Sequence, residues 1–323
     1  MQYGSIAGLA QPVSRLVQGG AMFGDTFDAA AGADLFDAVL ALGCTMIDTA
    51  HIYGGGASER AIGSWLARGP RERVLILSKG AHPDAKGPRV TPAAIARDLR
   101  ESLDRLQTDY IDLYLLHRDD PRRPVGPLVE ALNEHLAAGR VRAIGVSNWS
   151  SARITAANTY AALHGLTPLV ASSPHFGLAE QRAAPWPDAY TLTGAGQAAE
   201  RDWYVRTQTP VLSWSSLASG FFSGRYSPDR LDELNSPTDQ MIKRVYCTPA
   251  NFNRLARANA LAAERGVSVA QVALAYSLSQ PLNLFALVGA VSGAEYADCA
   301  AALDLNLTPA DLDWLDLRRP ARP

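Results

Sequence analysis

The amino-acid sequence predicts a (β/α)8 TIM barrel of the α/β class, on two observations. Eight short apolar runs alternate with eight helical patterns over 323 residues, a length that accommodates one such barrel with insertions. The runs are rich in Val, Ile and Leu without strict alternation, which is typical of parallel strands buried on both faces. A doubly wound sheet is the competing architecture, but the first run ends LVQGGAMFG, which fits its glycine-rich turn poorly. We therefore expect one barrel domain over residues 1–323.

Each predicted strand is a short apolar run that ends on, or just before, a polar or turn-forming residue. The predicted strands are Leu16–Gln18, Thr45–Asp48, Val74–Ser78, Ile111–Leu116, Ala143–Val146, Leu169–Ala171, Val211–Trp214 and Phe285–Val288. The segments between them have helical length and apolar spacing. The predicted helices are Ala30–Leu42, Ala57–Ala67, Pro92–Leu106, Pro127–Ala138, Ser150–Leu163, Gly196–Gln208, Asn251–Arg265 and Ala294–Leu303.

Five segments exceed this repeating unit. Met1–Arg15 suits a small hairpin that closes the barrel floor. Pro174–Gly196 and Ser215–Pro249 are long loops after strands six and seven, where barrel loops usually carry function. Ser268–Leu278 is one extra helix, and Thr308–Leu317 is a C-terminal helix because it starts with a plausible N-cap and an acid-rich first turn.

Composition argues against several classes of function. The formal net charge is −2 and no basic stripe is interleaved with aromatic residues, so we expect neither a nucleic-acid nor a membrane partner. Three scattered cysteines are too few for a disulfide framework or a zinc site. The first residues lack the pattern of a secretory signal, and Gln280, Pro281 and Asn283 interrupt the longest apolar tract. We expect a cytoplasmic protein, and the oligomeric state has no signature in the sequence.

In a (β/α)8 barrel, catalytic side chains lie at the carboxyl ends of the strands. Lys79 draws attention there, because lysine occurs only at positions 79, 86 and 243 and arginine supplies the other basic residues. Lys79 could reach to the rim, act as a Schiff-base nucleophile, or pair with Asp48. The polar candidates at strand ends are Asp48, Lys79, His117, Ser147, Asn148, Ser172, Ser173, Trp214 and Ser215.

Tyr53 completes a cluster with Asp48, Lys79 and His117. An ordinary tyrosine has a pKa of ~10, too high for easy proton donation at neutral pH, and a neighbouring cation lowers it. Lys79 could be that cation, Asp48 could hold the ammonium in place, and His117 could steer a carbonyl. This is a tuned general acid beside an oxyanion site. No metal is expected, since no His/Asp/Glu spacing suits one and a central lysine would repel it.

Three glycines, Gly54–Gly56, follow Tyr53 directly and could form either a phosphate cradle or a turn. We favour the turn. It would let the chain pass from Tyr53 into a helix that Ser58 and Glu59 help to begin.

Four motifs together resemble the aldo-keto reductases: MIDTAHIYGGGASE, ILSKG, YIDLYLLHRDD and AIGVSNWS. The resemblance extends over positions 14 to 316. It implies a (β/α)8 barrel, a nicotinamide cofactor across the barrel mouth, and NAD(P)H-dependent interconversion of a carbonyl and an alcohol. It also implies that Tyr53 is the general acid/base, that Lys79 and Asp48 tune it, and that His117 orients the carbonyl or relays the proton.

The resemblance also implies contacts to the nicotinamide. Ser147 and Asn148 match a pair that binds the carboxamide in the family. Ser173 stands where relatives usually have glutamine, so this contact would need a water or a shifted ring. Trp214 matches an aromatic residue that stacks on the nicotinamide.

The loop SSLASGFFSGRY, residues 215–226, resembles the family's segment over the pyrophosphate. Ser215 begins this loop. The backbone amides of Leu217 and Ser219, with the cation of Arg225, could meet the phosphates.

The adenosine end departs from the family, because residues 288–300 contain no Lys or Arg for a 2′-phosphate. Gly289, Val291, Glu295 and Asp298 stand at the expected positions. A carboxylate repels a 2′-phosphate but accepts a hydrogen bond from a free 2′-hydroxyl, so we expect NAD(H) to be used. Three basic residues on the long loop could still restore NADP(H) binding: Arg230, Lys243 and Arg244.

The predicted barrel mouth combines imidazole and aromatic rings, which suits a sugar or polyol slightly better than a small aldehyde or ketone. The candidates for substrate binding are His51, His82, Trp149 and His175, with Tyr53, Phe176, Trp186 and Trp214 as further rings.

Two other functions stay open. A Schiff-base lyase would use Lys79 but would leave the serine–asparagine pair and the strand-seven loop without a role. The second alternative is a non-catalytic nicotinamide-binding module, as in channel-associated subunits similar to aldo-keto reductases. The intact acid, tyrosine, lysine and histidine argue against that second function.

Overall fold

The computed structural model describes residues 1–23 and 29–321. The first two strands, β1 (Tyr3–Gly4) and β2 (Val13–Ser14), form an antiparallel hairpin, as predicted. The remaining strands are β3 (Leu16–Gly19), β4 (Met46–Asp48), β5 (Leu75–Gly80), β6 (Ile111–Leu116), β7 (Val141–Ser147), β8 (Ala171–Ser173), β9 (Val211–Ser213) and β10 (Leu284–Val288). They pair in chain order, all parallel, and β10 closes the circle on β3, which confirms the predicted (β/α)8 barrel.

Helices surround this barrel. They are α1 (Ala29–Ala41), α2 (Ala57–Leu66), α3 (Pro92–Leu106), α4 (Gly126–Ala137), α5 (Ser151–Leu163), α6 (Ala198–Thr207), α7 (Pro237–Val245), α8 (Pro249–Arg265), α9 (Val269–Leu278), α10 (Gly293–Ala301) and α11 (Pro309–Leu315). Within the described ranges, no helix is both long and apolar enough to cross a membrane.

The barrel strands are buried on both faces, and successive side chains enter two different cores. Leu75 and Leu77 belong to the cluster inside the barrel, whereas Ile76 belongs to the larger cluster under the helices. This follows from the two-residue period of a strand. Ile6 and Val13 of the N-terminal hairpin join the inner cluster, so the hairpin closes one end of the barrel as predicted.

Strand β8 lies two residues later than the predicted Leu169–Ala171, and that boundary is corrected here. Pairing with β7 sets the register, with Ala171 opposite Gly145 and Ser173 opposite Ser147. Ser172 is tolerated in the ladder because its hydroxyl accepts a hydrogen bond from Tyr204 at 2.8 Å. Tertiary pairing therefore outweighs local apolar content at this strand.

The long segment after β9 is not a plain loop, because it contains α7. Ser236 caps this helix by accepting from the amide of Asp239, and the Asp239 carboxylate in turn accepts from the amide of Ser236. The sequence SPTD carries this capping-box signal, which predicts a helix start at Pro237. The helix therefore could have been found from sequence.

Candidate active site

The carboxyl ends of β4, β5 and β6 bring Asp48, Lys79 and His117 to the barrel mouth, and Tyr53 reaches them from the turn after β4. Lys79 Nζ donates to Asp48 Oδ1, to the carbonyl oxygen of Thr49 (2.9 Å) and to the hydroxyl of Tyr53 (3.2 Å). An ammonium has three N–H groups, so every donor of Lys79 has a partner. The structure thus brings the four predicted residues together.

Lys79 is a fixed cation in this arrangement. Burial lowers its pKa, but attraction to Asp48 and Tyr53 outweighs burial and holds the pKa above the ordinary value of 10.5. Both members of the Lys79–Asp48 pair are almost fully buried. A buried charge persists only with such a partner, so the pair behaves as one unit.

Tyr53 differs from the sequence-based expectation in its net pKa. Burial raises the pKa of Tyr53, and Asp48 raises it further, whereas Lys79 and Arg118 lower it. The net pKa lies above 10.0, so the expectation that Lys79 would bring it below the ordinary value was wrong. The phenol therefore keeps its proton at neutral pH, which is the form that a general acid needs.

His117 is a neutral ring beside this phenol. Its ring centroid lies 5.7 Å from that of Tyr53, edge to face, and 4.8 Å from that of His82. Burial, reinforced by the positive charges of Lys79 and Arg118, holds the pKa of His117 well below 6.5. Its Nδ1 is buried and has no hydrogen-bond partner among the described residues. A neutral imidazole can orient a carbonyl oxygen without adding a proton of its own.

The glycines after Tyr53 form a turn, as expected. All three have positive φ, at 54°, 57° and 91°, a region that glycine enters without steric cost. A Cβ on Gly56 would also lie 2.6 Å from the guanidinium of Arg105. Glycine is therefore the residue that suits this turn best, and the turn leads from Tyr53, whose hydroxyl meets Lys79, into α2.

Helix α2 begins differently from the prediction. Gly56 is its N-cap, and no side chain caps it. Ser58 instead donates to the carbonyl of Gly20 (2.7 Å), and the buried Glu59 accepts from Ser78 at 2.8 Å. The expected role of Ser58 and Glu59 in starting the helix was wrong, because both side chains face the barrel and tie the helix to it.

Ser147 and Asn148 form hydrogen bonds that connect neighbouring strand ends at the barrel rim. Ser147 donates to the carbonyl of Ser173 (2.8 Å), and the Asn148 amide donates to the carbonyl of His117 (3.2 Å). Asn148 Oδ1 accepts from the amide of Tyr190 (3.0 Å). Ser173 is different, because its hydroxyl is buried without a partner in the described chain. An orphaned hydroxyl at a strand end fits a cofactor carboxamide that completes its hydrogen bonding.

Trp214 presents an aromatic face at the end of β9. Its ring packs against Trp186 and against His175, with both pairs of centroids 4.9 Å apart. His175 is fully buried, and its ring nitrogens pair with Thr191 (2.8 Å) and Tyr246 (3.3 Å). Burial lowers the pKa of His175 to about 3. His175 therefore packs against Trp214 and, being fully buried, offers no surface to a substrate.

The other predicted substrate residues are also not all at the mouth. His51 hydrogen-bonds to Glu101 of α3 at 2.7 Å. Trp149 is 1 % exposed, and its indole N–H donates to the carbonyl of Arg118. Only His82, of the four substrate candidates, places its ring directly against His117. Phe176 is buried in the outer core.

The loop after β9 is held by its own side chains. Ser219 donates to the hydroxyl of Ser215 (3.2 Å), and Phe221, next to the phosphate-loop candidates, is fully buried. Leu217 is half-buried. Arg225 is 61 % exposed and forms an ion pair with Asp239 at 3.3 Å. One nitrogen of the guanidinium contacts Asp239, and its other N–H groups are available to an anion.

At the adenosine end, Glu295 folds back on its own helix. Its carboxylate accepts from the amide of Val291 at 3.0 Å, at the amino end of α10. Asp298 points elsewhere, accepting from Ser268 and Gln271 of the neighbouring segment. A Cβ on the nearby Gly289 would meet nothing within 4 Å, so there is open space beside this helix end.

Arg118 is the functional candidate that sequence reasoning missed. It directly follows His117, is 6 % exposed, and donates to the carbonyl of His117 at 2.8 Å. The centre of its guanidinium lies 5.8 Å from the ring centroid of Trp186. The signal was present in LLHRDD, where an arginine immediately follows the strand-end histidine.

Comparison with known proteins agrees with this geometry. A sequence model described as the aldo/keto reductase family matches residues 15–317. The chain belongs to the aldo/keto reductase family. As an aldo/keto reductase it is an NAD(P)H-dependent oxidoreductase of carbonyl compounds, and the hydroxyl of Ser173, the face of Trp214 and the loop after β9 fit a nicotinamide dinucleotide.

Three relatives indicate the range of proteins similar to this aldo/keto reductase. An uncharacterized oxidoreductase of Mycobacterium tuberculosis is 33% identical over 335 residues, which cover 100% of this chain and 94% of the relative. The aldo-keto reductase YhdN of Bacillus subtilis is 38% identical over 178 residues, 52% of this chain and 53% of the relative. A probable voltage-gated potassium channel subunit beta of Oryza sativa is 27% identical over 337 residues, 100% of this chain and 98% of the relative.

Proposed function

We propose that this aldo/keto reductase interconverts a carbonyl and an alcohol with Tyr53 as the general acid/base. One observation carries the proposal: the ammonium of Lys79, locked by Asp48 and Thr49, donates its third hydrogen bond to the hydroxyl of Tyr53. A phenol in this position gains a stabilising cation at the moment when it gives up its proton.

The proposed proton path uses residues of the chain alone. A bound NAD(P)H supplies the hydride for the carbonyl carbon. Tyr53 donates its proton to the carbonyl oxygen, and the resulting phenolate is stabilised by Lys79 at 3.2 Å. The neutral ring of His117, edge-on to Tyr53, orients the oxygen. In alcohol oxidation Tyr53 takes the proton back along the same path.

The test is Tyr53→Phe, assayed by nicotinamide absorbance on an aldehyde panel. Removing a positioned general acid typically costs about 10²–10⁴-fold in rate, so we expect a loss of that size in kcat. Binding of NADH, followed by fluorescence, is the control and should stay within about twofold, because Tyr53 binds no cofactor in this proposal. Turnover within a few-fold of the unmodified enzyme contradicts the mechanism.

We further propose that the enzyme prefers NAD(H) to NADP(H). The support is Glu295, whose carboxylate already occupies the amide of Val291 at the amino end of α10. A helix amino terminus attracts one anion, and a second would be repelled by the first. Two of the three basic residues that could reach a 2′-phosphate are engaged: Arg230 pairs with Glu233, and Arg244 donates to the carbonyls of Ala184 and Pro185.

Glu295→Gln tests the cofactor proposal. The variant removes one charge at the helix end, so the ratio of the dissociation constants for NADPH and NADH should fall several-fold. Asp298→Asn is the matched control, because it removes an equal charge whose carboxylate is bound to Ser268 and Gln271. A clear preference of the unmodified enzyme for NADPH at physiological salt contradicts the proposal.

The substrate class is proposed from the surface beside His117. His51, Trp149 and His175 are assigned to structural contacts. The rings that remain are His82, which lies against His117, and Trp186, which packs on Trp214 near Arg118. Rings of this kind suit a sugar, polyol or small aldehyde or ketone, which makes the enzyme an alcohol dehydrogenase in type. A panel of sugars, keto-sugars and simple aldehydes with both nicotinamides tests this. Turnover confined to bulky apolar ketones contradicts it.

A second candidate function is a nicotinamide-binding regulatory module, and the similarity to the rice potassium channel subunit is the observation that favours it. It predicts tight nicotinamide binding without turnover on any carbonyl. A Schiff-base lyase is disfavoured because the pKa of Lys79 lies above its ordinary value. The amine therefore stays protonated at neutral pH and has no lone pair with which to attack a carbonyl. Borohydride trapping of a carbonyl on Lys79 without nicotinamide would favour the lyase.

A further inference from the structure

Arg118 is a buried cation that forms no ion pair with any described residue. Its side chain lies at the barrel mouth directly after β6, and in the described parts of the chain no carboxylate oxygen comes within 4.0 Å of it. Within the part of the chain that the structure describes, its guanidinium forms one hydrogen bond, to the backbone carbonyl of His117. Transferring a charge from water into a protein interior is costly unless a counter-charge meets it.

The neighbouring acids are already paired with other arginines. Asp119 binds Arg153 at 3.0 Å, and Asp120 binds Arg122 at 2.7 Å. Asp188, on the loop after β8, is exposed and attracts Arg118 only from beyond ion-pair distance. Among the described residues, therefore, no carboxylate pairs with Arg118, although two are adjacent to it in sequence.

The guanidinium is also held in place. The indole of Trp149 donates to the backbone carbonyl of Arg118 at 3.1 Å, which fixes the residue after the strand end. The guanidinium lies near the ring of Trp186, which in turn packs on Trp214. An arginine that is fixed and lacks an anion is ready for bidentate recognition of an oxyanion.

The site of Arg118 lies beside the reacting groups. It is the next residue after His117, so their Cα atoms are ~3.8 Å apart. Its charge also lowers the pKa of Tyr53, of His117 and of His82, which sets it within electrostatic reach of all three. An anion held by Arg118 would therefore lie close enough to the reacting carbonyl for one small substrate to carry both groups.

We propose that Arg118 selects carbonyl substrates that carry a carboxylate or phosphate group close to the reacting carbon. The inference rests on the proposed function and narrows its substrate class, since an aldehyde acid, an acidic sugar or a sugar phosphate meets both conditions. Arg118 is a specificity-determining residue that binds substrate and takes no part in proton transfer.

The test compares matched substrates that differ only in charge. 4-Oxobutanoate is compared with its methyl ester, glucuronate with its methyl ester, and glyceraldehyde 3-phosphate with glyceraldehyde, each with NADH and NADPH. We expect a preference in kcat/KM of about 10- to 100-fold for at least one anion over its neutral partner, as charged hydrogen bonds provide. The pair that shows it identifies carboxylate or phosphate.

Arg118→Gln should remove that preference, mainly through KM, and Arg118→Lys should restore only part of it. Arg122→Gln is the matched control, because Arg122 is a 74 % exposed arginine on the same loop. Equal kcat/KM for charged and neutral partners in the unmodified enzyme overturns the inference, and so does a preference that survives in Arg118→Gln.

A binding measurement separates this inference from the proposed function. Succinate and inorganic phosphate are titrated into the unmodified enzyme and Arg118→Gln in the presence of NAD(H). Weaker binding of either anion to Arg118→Gln, by about tenfold, supports the anion site even without turnover. Equal affinities overturn it. Absence of turnover on every carbonyl contradicts the proposed reduction instead.

Discussion

Two buried cations, Lys79 and Arg118, influence the pKa of Tyr53, and they differ in their partners. Lys79 comes from the end of β5 and has its carboxylate in the neighbouring strand, together with two further hydrogen-bond acceptors. Arg118 comes from the end of β6 and has one backbone carbonyl and an aromatic neighbour, Trp186. Both side chains are more than nine-tenths buried.

The difference separates chemistry from recognition. Lys79 needs a permanent partner because its task, holding Tyr53 and then its phenolate, is the same in every turnover. Arg118 has no carboxylate partner among the described residues, so an anionic ligand can provide one. Burying the charge of Arg118 costs free energy that no ion pair with a described residue offsets. An anionic ligand that pairs with Arg118 would offset this cost, and the gain would contribute to its binding.

The largest effect is expected when the permanent pair is broken. Lys79→Met should lower carbonyl reduction by about 10²–10⁴-fold. It should also cost about 3–5 kcal/mol of unfolding free energy, because it leaves Asp48 buried without its cation. Steady-state kinetics and chemical denaturation measure the two losses.

The control for Lys79→Met is the double variant Asp48→Asn with Lys79→Met. It removes both charges, so most of the stability should return while the activity does not. Equal stability of the single and double variants would mean that the buried pair does not behave as one unit.

An effect of intermediate size is expected when the stability of an Arg118 variant is compared with that of a variant at Arg254, a buried arginine with carboxylate partners. Arg254 is 4 % exposed and binds both Glu180 and Asp316. Arg254→Met should cost about 1–3 kcal/mol of unfolding free energy, because it leaves those acids without a cation. Arg118→Met should leave the unfolding free energy unchanged or raise it, since it removes an unpaired buried charge. Thermal melting of both variants without ligand measures this, and a larger loss for Arg118→Met contradicts the comparison.

The smallest effect concerns pH. Carbonyl reduction needs the protonated phenol, and the folded pKa of Tyr53 is raised above 10.0. The rate should therefore stay level through neutral pH and fall only as pH passes that raised value. Because Arg118 lowers the pKa of Tyr53, Arg118→Met should move the fall to still higher pH.

The measurement is kcat/KM against pH on a neutral aldehyde, so that loss of an anion contact does not confuse the result. A fall that already begins near neutrality would show that another group controls the reaction. An unchanged profile in Arg118→Met would place its charge outside the electrostatic reach of Tyr53.

Much of this site follows from local sequence. Strand ends in a barrel meet on one rim, so Asp48, Lys79 and His117 could be grouped from their positions after apolar runs. The same reasoning misplaced β8, because its serines are polar and only pairing with β7 reveals them as strand residues. The sequence-based reasoning also assigned too many rings to the substrate surface, because aromatic and imidazole rings pack in protein cores as often as they contact ligands.

The sequence by itself determined the barrel, the order of its strands and the identity of the groups beside Tyr53, because these depend on periodicity and on where each apolar run ends. Only the tertiary structure decided which partners those groups have. Asn148 turns at a positive φ of 61° to brace the rim, and His51 turns to Glu101. Arg118 pairs with no acid of the described residues, although Asp119 and Asp120 follow it and bind other arginines. Side-chain direction after a strand end depends on loop conformation and on neighbours distant in sequence, which no local pattern records.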